Sequence, residues 1–445
     1  MAAPGRERWS SQTGFVLAAV GSAVGLGNMW RFSYLAAENG GAAFVIFYVV
    51  LTLAVGLPVL LAELAIGRGA QQSPIRALAH FGGAAWKPLG VVFVAAGFVI
   101  LSYYGVIAGW TLRYAWIAVA GGFGDDVADR FGDISEGWDA FAFHLAFMVV
   151  TIVIVGHGVK AGIERASVVL MPLLFAIVVG LALYAATLDG AGPGYTYYLS
   201  ADFSKLWKPE VIRDAAGQAF FSLSLGMGAM LTYASYLGRD QNLPNESVVI
   251  AGADVAIAFI AGLVVFPLIF ALGLSDKVGA STVGALFITL PQAFAHMGTV
   301  GQLVGLLFFF ALIVGALTSA MSLLEVVVSS AIDGLGWSRA RAAWVSGAAI
   351  TALGAFSAFD IGVLDVADQF ANNILLLGGG FALCLFVGWV MPDPVAELEA
   401  GAGKLHWFFA WRVLLRFVVP VFLGYVLLGA VPATFRAISG LLAGD

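Results

Sequence analysis

Two short stretches place polar and flexible residues where apolar helices would be expected: residues 21–31, GSAVGLGNMWR, and residues 222–228, SLSLGMG. The first brings Gly21, Gly25, Gly27, Asn28 and Arg31 into a run that is apolar from about Thr13. Glycine weakens a helix, and a charge at membrane depth is costly. Irregular backbone inside a membrane is tolerated only where it is buried in protein or lines a cavity. A helix interrupted there offers N–H groups to anions and C=O groups to cations. Close helix packing would also use the glycines, but it needs neither Asn28 nor Arg31. Asp254 and Asp368 are acids inside apolar runs, where ionisable groups are rare and usually functional. The Thr318–Ser319 pair adds hydroxyls, which on a helix often bond back to their own backbone. The chemistry suggested is the binding of ions and a small polar solute. No nucleophile–base set, phosphate loop or metal cluster is evident, so an enzyme is not expected.

The elements that must hold these groups are membrane helices. The chain has 445 residues, 61% hydrophobic and 11% charged, against roughly 25% charged in soluble domains. The apolar runs are 13–37, 42–68, 88–120, 140–156, 165–187, 212–237, 247–275, 301–332, 340–356, 363–391 and 406–435. Each is read as a crossing of the bilayer, which makes an all-α polytopic membrane protein of eleven spans, with no twelfth expected. The net charge of −6 gives no footprint for nucleic acid. Cys384 is the one cysteine, so no intrachain disulfide is available. No cleavable signal peptide is evident.

Lysine and arginine set the orientation. One set of loops carries Arg6, Arg8, Arg68, Arg76, Lys87, Lys160, Arg165, Arg239, Arg339, Arg341 and Lys404. The other carries Arg130, Lys205, Lys208, Arg213, Lys277 and Arg436, beside the acids Asp125, Asp126, Asp129, Asp133, Glu136 and Asp139. The N-terminus is therefore expected in the cytoplasm and the C-terminus outside. Residues 188–211 read as a packed outer loop, and residues 276–300, with Pro291 and His296, as a re-entrant or capping hairpin.

The two interrupted runs are the first and the sixth. They lie five spans apart, and five is odd, so the second set of five enters the membrane upside down. Paired interruptions in matching positions of inverted halves point to a transporter's binding site.

The residues are now recognisable. The motifs GSAVGLGNMWRF (21–32), AAENGGAAF (36–44), AELAIGR (62–68), KAGIER (160–165), QAFFSLSLGMGAMLTYASYL (218–237) and ALTSAMS (316–322) resemble the neurotransmitter:sodium symporter family, including its bacterial amino-acid transporters. The resemblance runs from Arg6 to about Val431. It implies a five-plus-five inverted-repeat fold with broken first and sixth helices, and sodium-driven import by alternating access. The expected units are residues 1–12 as a cytoplasmic segment, 13–187 as the first repeat, 188–211 as the outer loop, 212–391 as the second repeat, and 392–445 as the last span and a short C-terminus.

The resemblance also implies sites. One sodium would sit among the Ala23 carbonyl, Asn28, Ser222 and Asp254, with the substrate carboxylate. Much of the family resembles an asparagine at the position of Asp254, and takes a negative charge from chloride or from a glutamate one turn later. Here that later residue is Ala258, so Asp254 could supply the charge, and no chloride is expected. A second sodium would lie against the carbonyls of Gly21, Val24 and Gly315 and the hydroxyls of Thr318 and Ser319. The substrate pocket resembles a set formed by Ser22, Ala23, Leu26, Gly27, Ile100, Tyr104, Phe221, Ser224, Met227, Ser319 and Leu323. Its uncharged character fits hydrophobic or large neutral amino acids.

Arg31 and Asp368 resemble an outer ion pair under an aromatic lid of Tyr104 and Phe221. Arg6 and Asp333 resemble an inner pair supported by Trp9, Ser235 and Tyr236. Gly162 and Pro172 could form a hinge that unwinds the fifth span and releases sodium. A non-transporting sensor or a channel of the same fold are the competing readings. A bacterial inner membrane and a monomer or weak dimer are expected.

Overall fold

The computed structural model describes residues 6–124, 126–274, 285–404 and 406–443. Among the described residues, nine helices are long and apolar enough to cross a membrane: Ala42–Ala70, Ala84–Ala120, Gly137–Gly156, Val159–Ala185, Leu243–Ala271, Gly298–Leu335, Arg339–Phe359, Ile361–Val390 and Trp407–Gly440. Two broken pairs complete the set. Gln12–Ala23 and Gly27–Glu38 meet at an angle of 54°, and Pro209–Ser222 is separated from Ala229–Ala234 by six residues of turn. Counted this way the described residues hold eleven spans, with the first and sixth broken, and the chain folds as the five-plus-five inverted repeat.

Several helices begin earlier than hydropathy alone indicates, because polar caps extend them. The Asn242 side chain accepts from Asn245 N, Ser338 from Arg341 N, and Asp360 from Gly362 N and Val363 N. Each satisfies backbone donors that the first turn leaves over. The fifth helix starts at Val159 rather than Arg165, through a π-helical turn over Val159–Glu164.

The outer loop is packed. Residues Gly192–Leu199 form a helix, and Tyr198 is fully buried against Phe266 of the seventh span. Of the expected 276–300 hairpin, residues 276–284 lie outside the described residues. The rest forms a π turn over Ala285–Thr289 and a helix over Leu290–His296, begun by Pro291.

The periphery is apolar where lipid would lie. Val149, Val169, Leu183, Val421 and Leu428 are exposed, while Trp116, Trp138 and Trp389 are exposed near helix ends. That distribution is the one expected of a membrane-embedded surface with aromatic belts. The interior is unusually rich in buried polar groups close to the two breaks.

Gly226 shows how tightly the sixth break is held. Its φ is +75°, and a Cβ there would lie 2.2 Å from the Leu376 carbonyl oxygen. Gly226→Ala thus combines a left-handed backbone with a clash against main chain. It is expected to destabilise the protein by at least about 2 kcal/mol. Thermal unfolding of the purified variant in detergent checks this; an unchanged midpoint would refute it.

Candidate functional site

The first helix ends at Ala23 because Val24 turns to an extended conformation, φ −82° and ψ 100°. Helical geometry resumes at Gly27. Between them the freed N–H groups find side-chain partners. Gly25 N donates to Asn28 Oδ1 (3.0 Å), and Leu26 N donates to Tyr104 Oη (3.3 Å). In the sixth span, Ser224, Gly226 and Gly228 all have positive φ. Glu63, from the second span and fully buried, takes the freed donors there: Gly226 N to Oε1 at 2.8 Å and Leu231 N to Oε2 at 3.3 Å.

A cavity lies between the two breaks. Its lining is Ser22, Ala23, Gly27, Ile100, Tyr104, Phe221, Ser224, Met227, Ser319 and Leu323, together with Gly25, Asn28 and Ser222. Every residue of the expected pocket is therefore gathered there except Leu26, whose side chain is buried elsewhere but whose N–H reaches Tyr104. No lining residue carries a charge.

Beside the cavity is a knot of oxygens around Asp254, which is fully buried. Asp254 Oδ1 accepts from Asn28 Nδ2 (2.6 Å) and Ser222 Oγ (2.6 Å), and Oδ2 accepts from Tyr48 Oη (2.7 Å). Asn28 Nδ2 also reaches Ser222 Oγ (2.9 Å) and the Asp254 carbonyl (3.2 Å). A buried carboxylate with hydroxyl and main-chain carbonyl oxygens beside it suits a hard monovalent cation, although the Asn28 amide here turns its Nδ2 toward them and its Oδ1 to Gly25 N. No group of three or more His, Cys, Asp or Glu side chains suited to a divalent or transition metal occurs among the described residues.

The second expected cation set is also assembled, with one difference. Ser319 Oγ reaches across to the carbonyls of Gly21 (3.3 Å) and Ser22 (3.2 Å). Thr318 Oγ1 instead bonds back to Val314 O (3.1 Å) and Gly315 O (3.0 Å) of its own helix. Gly315 faces the Val24 carbonyl, and Gly21 packs so closely that a Cβ there would lie 2.9 Å from Thr318 and 3.0 Å from Met171 Sδ. Met171 precedes Pro172, so the fifth span runs directly behind this set.

The inner pair is formed. Arg6 and Asp333 are 3.0 Å apart, Arg6 donates to Ser235 Oγ (2.7 Å), and its guanidinium stacks 4.9 Å from the Tyr236 ring centroid. Trp9 Nε1 donates to the Tyr233 carbonyl (2.8 Å). The outer pair is not formed: no ion pair within 4.0 Å joins Arg31 and Asp368. Arg31 lies over the Phe221 ring, 5.6 Å from its centroid, and Asp368 accepts from Asn372 Nδ2 (2.7 Å). Both side chains are half-buried, and Arg31 Nη1 is buried without a hydrogen-bond partner. The proposed hinge is wound: Gly162 N donates to Gly158 O (3.0 Å), and Pro172 sits inside the helix Arg165–Ala185.

Several groups were not anticipated. Glu63 and Tyr48 support the breaks. Glu325, fully buried, is held by Arg339 (2.8 and 3.0 Å) and by the Tyr236 hydroxyl. Ahead of the first helix, Glu7 pairs with Arg339 (2.6 Å) and accepts from Val159 N, while Glu164 accepts from Ser10 N (2.8 Å) and from the hydroxyls of Ser10 and Ser11. Glu63, Glu164 and Glu325 all lie in or at the edge of apolar runs, and the rule that singled out Asp254 applies to them equally.

Comparisons with known proteins agree with this architecture. The model of the sodium:neurotransmitter symporter family matches residues 6–123 and 132–437. An uncharacterised sodium-dependent transporter of Bacillus subtilis, YhdH, is 37% identical over 93% of this chain and 95% of its own. The human sodium- and chloride-dependent creatine transporter 1 is 28% identical over 75% of this chain and 61% of its own. The crystal structure of MhsT in complex with L-phenylalanine superposes with a TM-score of 0.88 and is 42% identical, covering 96% of this chain and 100% of that one. With a cavity on paired helix breaks, a buried carboxylate beside it and these relatives, the chain belongs to the sodium:neurotransmitter symporter family and is a multi-pass, sodium-coupled transporter of a small molecule, not an enzyme.

Proposed function

We propose that the protein imports large neutral amino acids with sodium, without chloride, by alternating access. The observation that carries this reading is the uncharged cavity shared by both breaks. The N–H groups of Leu26 and Gly27 with Tyr104 Oη would take a carboxylate. The carbonyls around Ala23, Phe221 and Ser224, with the Ser224 hydroxyl beside them, would take an ammonium. Ile100, Met227 and Leu323 leave an apolar end for the side chain, and the thioether of Met227 adapts to different shapes. The complex of MhsT with L-phenylalanine supports the same class.

Sodium would be held at Ala23, Asn28, Ser222 and Asp254, and again at Gly21, Val24, Gly315, Thr318 and Ser319. Bound there, it supplies positive charge beside the substrate carboxylate and ties the first span to the sixth and eighth. Thr318 would turn its oxygen from its own helix toward that second ion. Arg31 and Asp368 would close over Phe221 and Tyr104, while opening of Arg6–Asp333 and unwinding between Gly162 and Pro172 would admit water from the cytoplasm. The N-terminus is cytoplasmic in this scheme.

The test is uptake of labelled leucine or phenylalanine into proteoliposomes. An inward sodium gradient is expected to drive accumulation above equilibrium, and gluconate in place of chloride to leave it unchanged. Leucine, methionine and tryptophan should compete better than glycine or glutamate. Sodium-dependent binding without accumulation would mark a sensor, and flux that never exceeds equilibrium would mark a channel.

A further inference from the structure

Ser322 lies outside the cavity lining, yet it is bonded to the first break. It is fully buried on the eighth span, one turn beyond Ser319. Ser22 Oγ donates to Ser322 Oγ at 2.7 Å, and Ser322 Oγ donates to the Ser319 carbonyl at 2.8 Å. Ser224 Oγ donates to the Ser22 carbonyl at 2.7 Å, leaving Ser22 Oγ and Ser224 Oγ 3.2 Å apart. Three helices thus meet in one chain of hydroxyls.

A hydroxyl has one hydrogen and two lone pairs. Ser22 sends its hydrogen to Ser322, Ser322 sends its own to Ser319, and Ser224 sends its own to the Ser22 carbonyl. The oxygen of Ser224, a residue of the cavity lining, then keeps both lone pairs for incoming donors. Were Ser322 absent, Ser224 Oγ at 3.2 Å would be an acceptor for the Ser22 hydrogen. One of its two lone pairs would then be consumed inside the protein.

We propose that Ser322 is a positioning residue for the substrate's amine: it draws the Ser22 hydrogen away from the cavity so that Ser224 meets an ammonium group as an acceptor. This rests on the amino-acid reading above. It also assigns a purpose to the last serine of the ALTSAMS motif, which neither the cation sets nor the pocket lining uses.

The experiment is leucine uptake by proteoliposomes carrying wild type, Ser322→Ala, Ser22→Ala and the double variant. Ser322→Ala is expected to raise KM about five-fold, the loss of roughly one hydrogen bond, with the maximal rate little changed. In the Ser22→Ala background the same substitution should have no further effect, because no misdirected hydrogen remains. Ser322→Cys keeps the volume but is a weak acceptor, so its KM should fall between the two. It also serves as the readout if Ser322→Ala fails to accumulate in the membrane. An unchanged KM in both variants, a fall confined to the maximal rate, or additive effects with Ser22→Ala would each overturn the proposal. If wild type takes up no amino acid, the amino-acid reading fails first and this proposal with it.

Discussion

Asp254→Asn is expected to shift the sodium activation of uptake by at least about a hundred-fold, the scale for losing one member of a buried charge pair. Chloride, which the proposed function makes inert for the wild type, should restore part of the loss. The reasoning starts from the three donors on this carboxylate, Asn28, Ser222 and Tyr48, at 2.6 to 2.7 Å. They surround a carboxylate in a site closed to solvent. Asparagine keeps the shape but removes the charge and turns one acceptor into a donor, facing groups that themselves donate. Ala258, one turn along, cannot compensate. Sodium activation curves recorded in chloride and in gluconate decide the matter. Curves that overlay those of wild type in both salts would remove Asp254 from the ion site.

Glu63→Ala should be the most damaging substitution in the scaffold. The six residues between Ser222 and Ala229 leave main-chain donors with no helical acceptor. Glu63 satisfies two of them, at 2.8 and 3.3 Å, from a fully buried position. It also places a carboxyl oxygen at the start of the Ala229–Ala234 segment, where main-chain N–H groups have no helical acceptor. Alanine leaves those donors orphaned in a dry interior. A loss of about 3–5 kcal/mol is expected, with no measurable uptake. Glu63→Gln retains one acceptor and should fall between. Thermal unfolding in detergent reads the first effect and proteoliposome uptake the second; wild-type values for alanine would sink the argument.

Much of the architecture was legible because glycine, asparagine and arginine have no ordinary reason to interrupt an apolar run. The spacing of residues 21–28 and 222–228 located both halves of the cavity. Partners were harder to read. Tyr48 looks like any interior tyrosine until Asp254 is placed against it, over two hundred positions away. Thr318 bonding to its own helix while Ser319 reaches Gly21 depends on rotamers, which residue identity does not determine. The same limit applies to the gates. Sequence names Arg31 and Asp368 as candidates, but whether they touch is a property of one conformational state. Here the Arg6–Asp333 pair is joined and the Arg31–Asp368 pair is parted. Helix ends differed from hydropathy by several residues because Asn242, Ser338 and Asp360 extend them with polar caps.

The residues just ahead of the first helix have a practical consequence. Glu7 fastens to Arg339 and Val159, Ser10 and Ser11 to Glu164, and Arg6 to Asp333. Six residues of tail thereby clasp the fifth, eighth and ninth spans together. An affinity handle or fluorescent protein fused close to Arg6 would pull on that clasp and change the balance of states being measured. A reporter meant to leave the working cycle undisturbed needs a long spacer there.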